Sequence, residues 1–168
     1  FQRPPIDTIE ELLQKFDRPL IVKEVGQGMG RDSLRRLLKL PLAALEFAAG
    51  GGTNFAKLEM MRDRPEALAA FQQLAHVGHT AADMVHLVND ILAAENQPPA
   101  CGQIIVSGGV HHFLDGYYLI NKLRMPAVYG QASAFLKHAR GEYEELHAHV
   151  KSQMEGLKIA YAYLKIRA

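Results

Sequence analysis

Four short aliphatic segments, each followed by glycine, constrain the fold of this chain more than any other feature. The segments cover 20–25, 42–49, 103–107 and 126–129, and the glycines that follow them begin at Gly26, Gly50, Gly108 and Gly130. Short apolar runs that stop at glycine are typical of buried parallel strands. Helical periodicity between the runs predicts a parallel sheet whose strands are joined by right-handed crossovers.

Apolar residues at helical spacing predict the helices that separate these strands. The predicted helices cover 8–16, 33–39, 66–76, 81–94 and 113–123, and a helical tail runs from about residue 132 with a break near Gly141. Thr8 with Glu11, and Thr80 with Asp83, have the spacing of a capping box. A doubly wound sheet and a barrel both fit this alternation, but about eight strands are needed to close a barrel.

The composition excludes several classes of protein. Of 168 residues, 48% are hydrophobic and 22% are charged, which is typical of a globular chain and not of a disordered one. The formal charge of +1 gives no broad positive field for nucleic acid. Cys101 is the only cysteine, and neither a leader pattern nor a membrane-spanning stretch is present. We therefore expect a cytoplasmic protein with no nucleic-acid or membrane partner.

The loops after the last two predicted strands have the residues of a phosphate site. One loop carries Gly108, Gly109, Val110 and His111, and the other begins at 130–131 with glycine and glutamine. Glycine lets the backbone approach a ligand closely, and N–H groups at a helix start favour anions. In (β/α)8 enzymes a phosphate site is built from the loops after the final strands. The alternative is that these glycines serve only tight turns.

Two further residues are candidates for a ligand site. Lys23 lies inside an apolar strand, where lysine is rarely placed without a partner or a function, and it could stabilise a negatively charged cofactor. Its neighbour Glu24 must point to the opposite face of the sheet. The structural alternative is an ion pair at the strand end, which we expect of Glu24 more than of Lys23. Thr53 follows three glycines and could contact an anion or a flavin.

Four segments of the chain resemble a known family, the type 2 isopentenyl-diphosphate isomerases. The segments are IVKEVGQGM (21–29), AAGGGTNFAKLE (48–59), VSGGVHHFLDG (106–116) and VYGQASAFLKHA (128–139). The first two are specific to that family, whereas the third is common among FMN-binding barrels. The resemblance implies that residues 1–168 are the C-terminal half of one FMN-binding (β/α)8 TIM barrel, comprising strands 5–8 and their helices, with C-terminal helices from about 132.

The resemblance also implies an activity and its cofactors. Members convert isopentenyl diphosphate to dimethylallyl diphosphate in isoprenoid biosynthesis, using reduced FMN and Mg2+, with NADPH as the flavin reductant, and they are homo-oligomers, as tetramers or octamers. On this basis Lys23 would face the flavin N1/O2 edge and support its anionic reduced form. Thr53 would contact FMN, and the phosphate would be held by Gly108, Gly109, Val110, His111, Gly130 and Gln131.

The chain departs from the family pattern in three respects. His111 stands where an arginine is common, and an imidazole can donate a hydrogen bond but carries no permanent charge. Ala48 stands where a hydroxyl residue is common. The Gln-Glu pair that binds Mg2+ and the N-terminal substrate motifs are missing, so we expect no metal ligands in this chain and no turnover by the chain alone.

Two other functions remain open at this point. An FMN-dependent oxidoreductase related to the 2-hydroxy-acid oxidases would have a similar phosphate site. Those enzymes, however, have a histidine-arginine arrangement at the position where this chain has GGGTNF. A half-barrel that binds a phosphorylated ligand without catalysis is the second. Histidine pairs such as His76 with His79, or His147 with His149, lack a convincing third metal ligand, so we expect them to be surface residues.

Overall fold

The computed structural model describes residues 3–63 and 72–167 and is built around one parallel sheet. The strands are β1 (Ile21–Lys23), β2 (Ala44–Glu46), β3 (Ile104–Val106) and β4 (Ala127–Tyr129), in the order β1-β2-β3-β4. Lys23 stands opposite Glu46 in the register, and Val106 stands opposite Tyr129. The four predicted strands are confirmed, and all four carboxyl ends lie at one edge of the sheet.

Seven α-helices and one 3-10 helix surround the sheet in the described part of the chain. The α-helices are α1 (Pro5–Lys15), α2 (Arg31–Leu38), α3 (Phe55–Asp63), α4 (Ala81–Ala94), α5 (Phe113–Lys122), α6 (Ser133–Ala139) and α7 (Tyr143–Tyr163), and the 3-10 helix is Gln72–His76. The predicted helix over 66–76 falls partly on 64–71, which lie outside the described residues. The predicted helical tail is present as α6 and α7. None of the described helices is long and apolar enough to cross a bilayer.

The prediction of half a (β/α)8 barrel is contradicted by this sheet. In the described residues the sheet is open, because β1 and β4 lie at its two ends and do not pair with each other. A barrel requires its first and last strands to pair, with about eight strands in total. The fold is therefore an α/β fold with a four-stranded parallel sheet. The prediction was wrong because strand-helix alternation is common to open sheets and barrels and does not decide between them.

Of the two predicted capping boxes, the one at Thr80 is confirmed and the one at Thr8 is wrong. At the start of α4 the backbone N–H of Asp83 donates to Thr80 Oγ1 over 3.2 Å, and the N–H of Thr80 donates to Asp83 Oδ2 over 2.9 Å. The hydrogen bond from the Thr80 hydroxyl holds the pKa of the Asp83 carboxyl below its usual value. Helix α1 instead begins at Pro5 without a side-chain cap, because proline at the first helical position supplies a helical φ.

The core lies between the sheet and the helices α2 and α4. Strand β2 is central to it, since Leu45 and the following Phe47 are fully buried. Leu34 of α2 and Met84 of α4 are also fully buried in the same cluster. Cys101 is buried there too, and burial raises the pKa of its thiol. A buried thiol with a raised pKa is unreactive, so Cys101 is a packing residue.

Replacing the buried aromatic ring after β2 should destabilise the fold strongly. We expect Phe47→Ala to lower the free energy of unfolding by about 3–5 kcal/mol, because it removes a fully buried ring and leaves a cavity. Met154→Ala, on the exposed side of α7, is the matched control and should stay within about 0.5 kcal/mol. Urea unfolding followed by circular dichroism measures both. Equal midpoints for the two variants would contradict this description of the core.

Candidate functional site

A cleft of about 660 Å³ lies at the carboxyl ends of the four strands. It is lined by residues from the loops after every strand, so the parallel sheet itself creates it. All of the residues proposed from the sequence line it, namely Lys23, Thr53, Gly108, Gly109, Val110, His111, Gly130 and Gln131. The structure thus brings the predicted site residues together, while their roles toward FMN stay predictions.

The lysine in the cleft is paired with a carboxylate on the neighbouring strand. Lys23 Nζ contacts Glu46 Oε1, as the register of β1 and β2 allows. The hydroxyl of Ser107 donates to the same oxygen over 2.8 Å. Ser107 Oγ in turn accepts the backbone N–H of Ala48 over 3.1 Å. A chain of contacts therefore connects the ends of β1, β2 and β3 inside the cleft.

Glu24 has a different role from the predicted one. Its Oε2 accepts the backbone N–H groups of Gly26, Gln27 and Gly28 over 2.7, 2.7 and 2.8 Å. The carboxylate thus holds the loop after β1 in place. The expectation that Glu24 would make the strand-end ion pair more readily than Lys23 was wrong. Three adjacent backbone N–H groups donate to one oxygen of the Glu24 carboxylate instead.

Several glycines in the cleft are required by contact between loops. A Cβ atom on Gly108 would stand 2.1 Å from the carbonyl oxygen of Ala49, and Gly108 has a φ of +87°. A Cβ on Gly26 would stand 2.2 Å from the carbonyl oxygen of Thr53. Tight backbone packing therefore accounts for these two glycines without a ligand, as the structural alternative proposed. Gly130 differs, since a Cβ there would meet only Ser107 Cβ at 3.7 Å.

The backbone N–H groups at the start of α5 are hydrogen-bonded within the protein, so they are not the free anion donors that the sequence predicts. The N–H groups of His111 and His112 both donate to Asp115 Oδ2, over 3.1 and 3.3 Å. Asp115 donates its own N–H to His112 Nδ1 over 3.2 Å, which completes a capping box on α5. The start of α5 therefore has an internal anion of its own. The N–H of Gly130 is also engaged, with the carbonyl oxygen of Val106 at 2.9 Å.

Free donors remain on the loop after β3 and on one glutamine. The backbone N–H groups of Gly108, Gly109 and Val110 have no acceptor among the described residues. Within the same part of the chain, the buried Nε2 of Gln131 also lacks a partner. A buried amide donor left without an acceptor costs about 1–3 kcal/mol. Both sets line the cleft, and an anionic oxygen placed there would satisfy them.

The sequence interpretation missed the two residues whose side chains form the contact chain with Lys23, and it missed the backbone strain at a third lining residue. Glu46 and Ser107 both line the cleft. Glu46 could have been found, because it is a charged residue in an apolar run, which is the signal that identified Lys23. Ala48 is buried with a φ of +41°, an uncommon conformation for a residue other than glycine. No sequence signal marks that strain.

The histidines form no metal site in the described ranges, where no group of three or more potential ligands is found. His147 is exposed and stacks with Tyr143. His149 is half-buried, with its ring 4.2 Å from that of His138 and 5.2 Å from that of Phe135, measured between centroids. The prediction of a surface residue was therefore wrong for His149, which packs α7 against α6.

Two glycine substitutions should distinguish a glycine that packs against a neighbouring loop from one that faces open space in the cleft. We expect Gly108→Ala to lower the free energy of unfolding by about 1–3 kcal/mol, since the φ of Gly108 is positive and the added methyl group meets the backbone of Ala49. Gly130→Ala, the control on the neighbouring loop, should change it by less than about 1 kcal/mol. Urea unfolding measures both values. A Gly108→Ala variant as stable as Gly130→Ala would contradict the described contact.

Comparisons with known proteins give one consistent name. No family model matches the chain. It is 30% identical over 156 residues to an enzyme of Ignicoccus hospitalis named isopentenyl-diphosphate delta-isomerase, a match that covers 92% of this chain and 41% of that protein. Proteins of the same name from Bacillus licheniformis and Xanthobacter autotrophicus are 35% and 33% identical, over 89% and 94% of this chain and 40% and 43% of theirs. The chain thus spans about two-fifths of the length of the curated relatives it matches, and it is similar to isopentenyl-diphosphate delta-isomerases.

Proposed function

We propose that this chain supplies the flavin-binding part of an isopentenyl-diphosphate delta-isomerase that uses FMN and Mg2+, with NADPH as the reductant of the flavin. The observation that carries the proposal is the cleft, in which every residue that the family resemblance assigns to FMN is found. The similarity to proteins named isopentenyl-diphosphate delta-isomerase supports the reaction. A cytoplasmic homo-oligomer, as a tetramer or octamer, belongs to the proposal through the resemblance alone.

The cleft has the properties that a flavin phosphate requires. Its volume of about 660 Å³ is within the usual range for small-molecule sites. The unengaged N–H groups of Gly108, Gly109 and Val110 are donors for phosphate oxygens, and the amide of Gln131 is a further one. The imidazole of His111, which also lines the cleft, can add a further donor. FMN fits this donor set.

Lys23 provides the positive charge of the cleft in this proposal. Reduced FMN would supply the proton-transfer chemistry of the isomerisation. The ammonium group of Lys23 would face the N1/O2 edge of the ring and stabilise the negative charge of the reduced flavin, as fixed charges in a site do for developing charge. Thr53 also lines the cleft and would offer its hydroxyl or N–H to FMN. No residue of this chain is assigned to Mg2+.

Neutralising Lys23 should weaken the binding of reduced FMN more than the binding of oxidised FMN. We expect Lys23→Gln to raise the dissociation constant of reduced FMN by about tenfold relative to that of oxidised FMN, because one charge contact near a protein surface is worth about 1 kcal/mol or more. Flavin absorbance and fluorescence titrations, aerobic and anaerobic, measure the two constants. Lys151→Gln, on the exposed side of α7, is the control. Failure of the unsubstituted chain to bind FMN would refute the proposal.

The isolated chain and a chimeric enzyme should differ in activity. We expect no conversion of isopentenyl diphosphate by the purified 168-residue chain with FMN, Mg2+ and NADPH, since its sequence lacks the family's Mg2+ and substrate motifs. Measurable conversion would contradict this expectation. A chimera in which the chain replaces the 153 aligned residues of the Bacillus licheniformis enzyme should be active. An inactive chimera that binds FMN would argue against isomerisation and leave a flavin- or phosphate-binding role.

A further inference from the structure

We propose that Glu46 is a positioning residue that holds Lys23 in the cleft and limits how strongly its charge favours reduced flavin. This inference rests on the proposed function, because it concerns the response of bound FMN to reduction. Glu46 itself needs no contact with the flavin in this role. It acts through the ammonium group that it contacts.

The network around Glu46 is anchored at the carboxylate end. The side chain of Glu46 is 18% exposed, whereas that of Lys23 is 55% exposed. A single oxygen, Oε1, receives both Lys23 Nζ and the hydroxyl of Ser107, the latter over 2.8 Å. Since Ser107 also accepts the N–H of Ala48, the carboxylate is fixed to β3 and to the loop after β2. The lysine is the movable partner and the glutamate is the fixed one.

Two consequences for the flavin follow from this geometry. The fixed carboxylate restricts the ammonium group to the wall of the cleft, which reduces the number of conformations that must be ordered when a ligand binds. The carboxylate also opposes the field of the ammonium group, since the two charges are in contact. Two-electron reduction with uptake of one proton leaves FMN with an additional negative charge, and the net field of the Lys23–Glu46 pair acts on that charge.

Replacing the carboxylate by an amide separates these two effects. The substitution Glu46→Gln keeps an oxygen that accepts from Ser107 and keeps the length of the side chain, so the geometry of the pair is retained. It removes the negative charge, so the field of Lys23 is no longer opposed. The flavin should therefore become easier to reduce. A purely structural ion pair would alter stability without this effect.

The midpoint potential of bound FMN tests the inference. The 168-residue chain loaded with FMN is reduced by xanthine and xanthine oxidase against a reference dye, in unsubstituted form and as Glu46→Gln, Glu46→Asp and Glu155→Gln. Glu155 is an exposed carboxylate of α7 outside the cleft. We expect Glu46→Gln to raise the ratio of the dissociation constants of oxidised and reduced FMN by about tenfold, a positive shift of about 30 mV for two electrons. Glu46→Asp, which keeps the charge, and Glu155→Gln should remain within about threefold.

Other results would overturn the inference in distinguishable ways. An unchanged or more negative potential in Glu46→Gln would show that the carboxylate does not oppose Lys23. A Glu46→Gln variant that loses its folded structure by circular dichroism would assign Glu46 to the fold and equally overturn the inference. If the unsubstituted chain does not bind FMN, the proposed function fails and this inference fails with it. If the unsubstituted chain binds FMN, the comparison of midpoint potentials among the variants decides whether the inference about Glu46 holds.

Discussion

The close approach of the loops after β2 and β3 is the constraint on which the cleft depends. Parallel pairing places the carboxyl ends of all four strands at one edge. The loops that follow the strands therefore lie close together. Gly108 lies against the backbone of Ala49, and Gly51 lies against Gly109, at distances that leave no room for a side chain. The loops therefore pack backbone against backbone. This packing leaves N–H groups on the cleft surface, where a larger residue would have covered them.

Charge in the cleft is organised by strand register. Lys23 and Glu46 are opposite each other on β1 and β2, so their contact follows from the pairing of strands and needs no special loop conformation. Glu24, the residue directly after β1, has the N–H groups of the following loop as partners. The acidic residues at the ends of these two neighbouring strands thus have separate tasks. One fixes a loop, and the other is paired with the only lysine that lines the cleft among the described residues.

Much of the sheet and of the candidate site could be predicted from the sequence, because apolar runs that end at glycine report strands and loops directly. The strands, the capping box at Thr80 and the gathering of Lys23, Thr53 and the glycine loops in one place follow from such local signals. The arrangement of the whole sheet does not, since an open sheet and a barrel have the same local pattern. Glu46 has a local signal of its own, but its pairing with Lys23 does not, because the two residues lie 23 positions apart and meet only through the register of two strands.

The capping of α5 by Asp115 has a consequence for the physical character of the cleft. Because this carboxylate already engages the N–H groups of His111 and His112, the helix start contributes little attraction for a second anion. The donors that remain at that end are neutral amides, whose hydrogen bonds are short-ranged and respond weakly to dissolved ions. Lys23, by contrast, exerts a long-ranged field that ions screen over about 10 Å at 0.1 M ionic strength. An anionic ligand of the cleft would therefore be bound partly by amide contacts that are insensitive to ionic strength and partly by a charge interaction that weakens as salt is added.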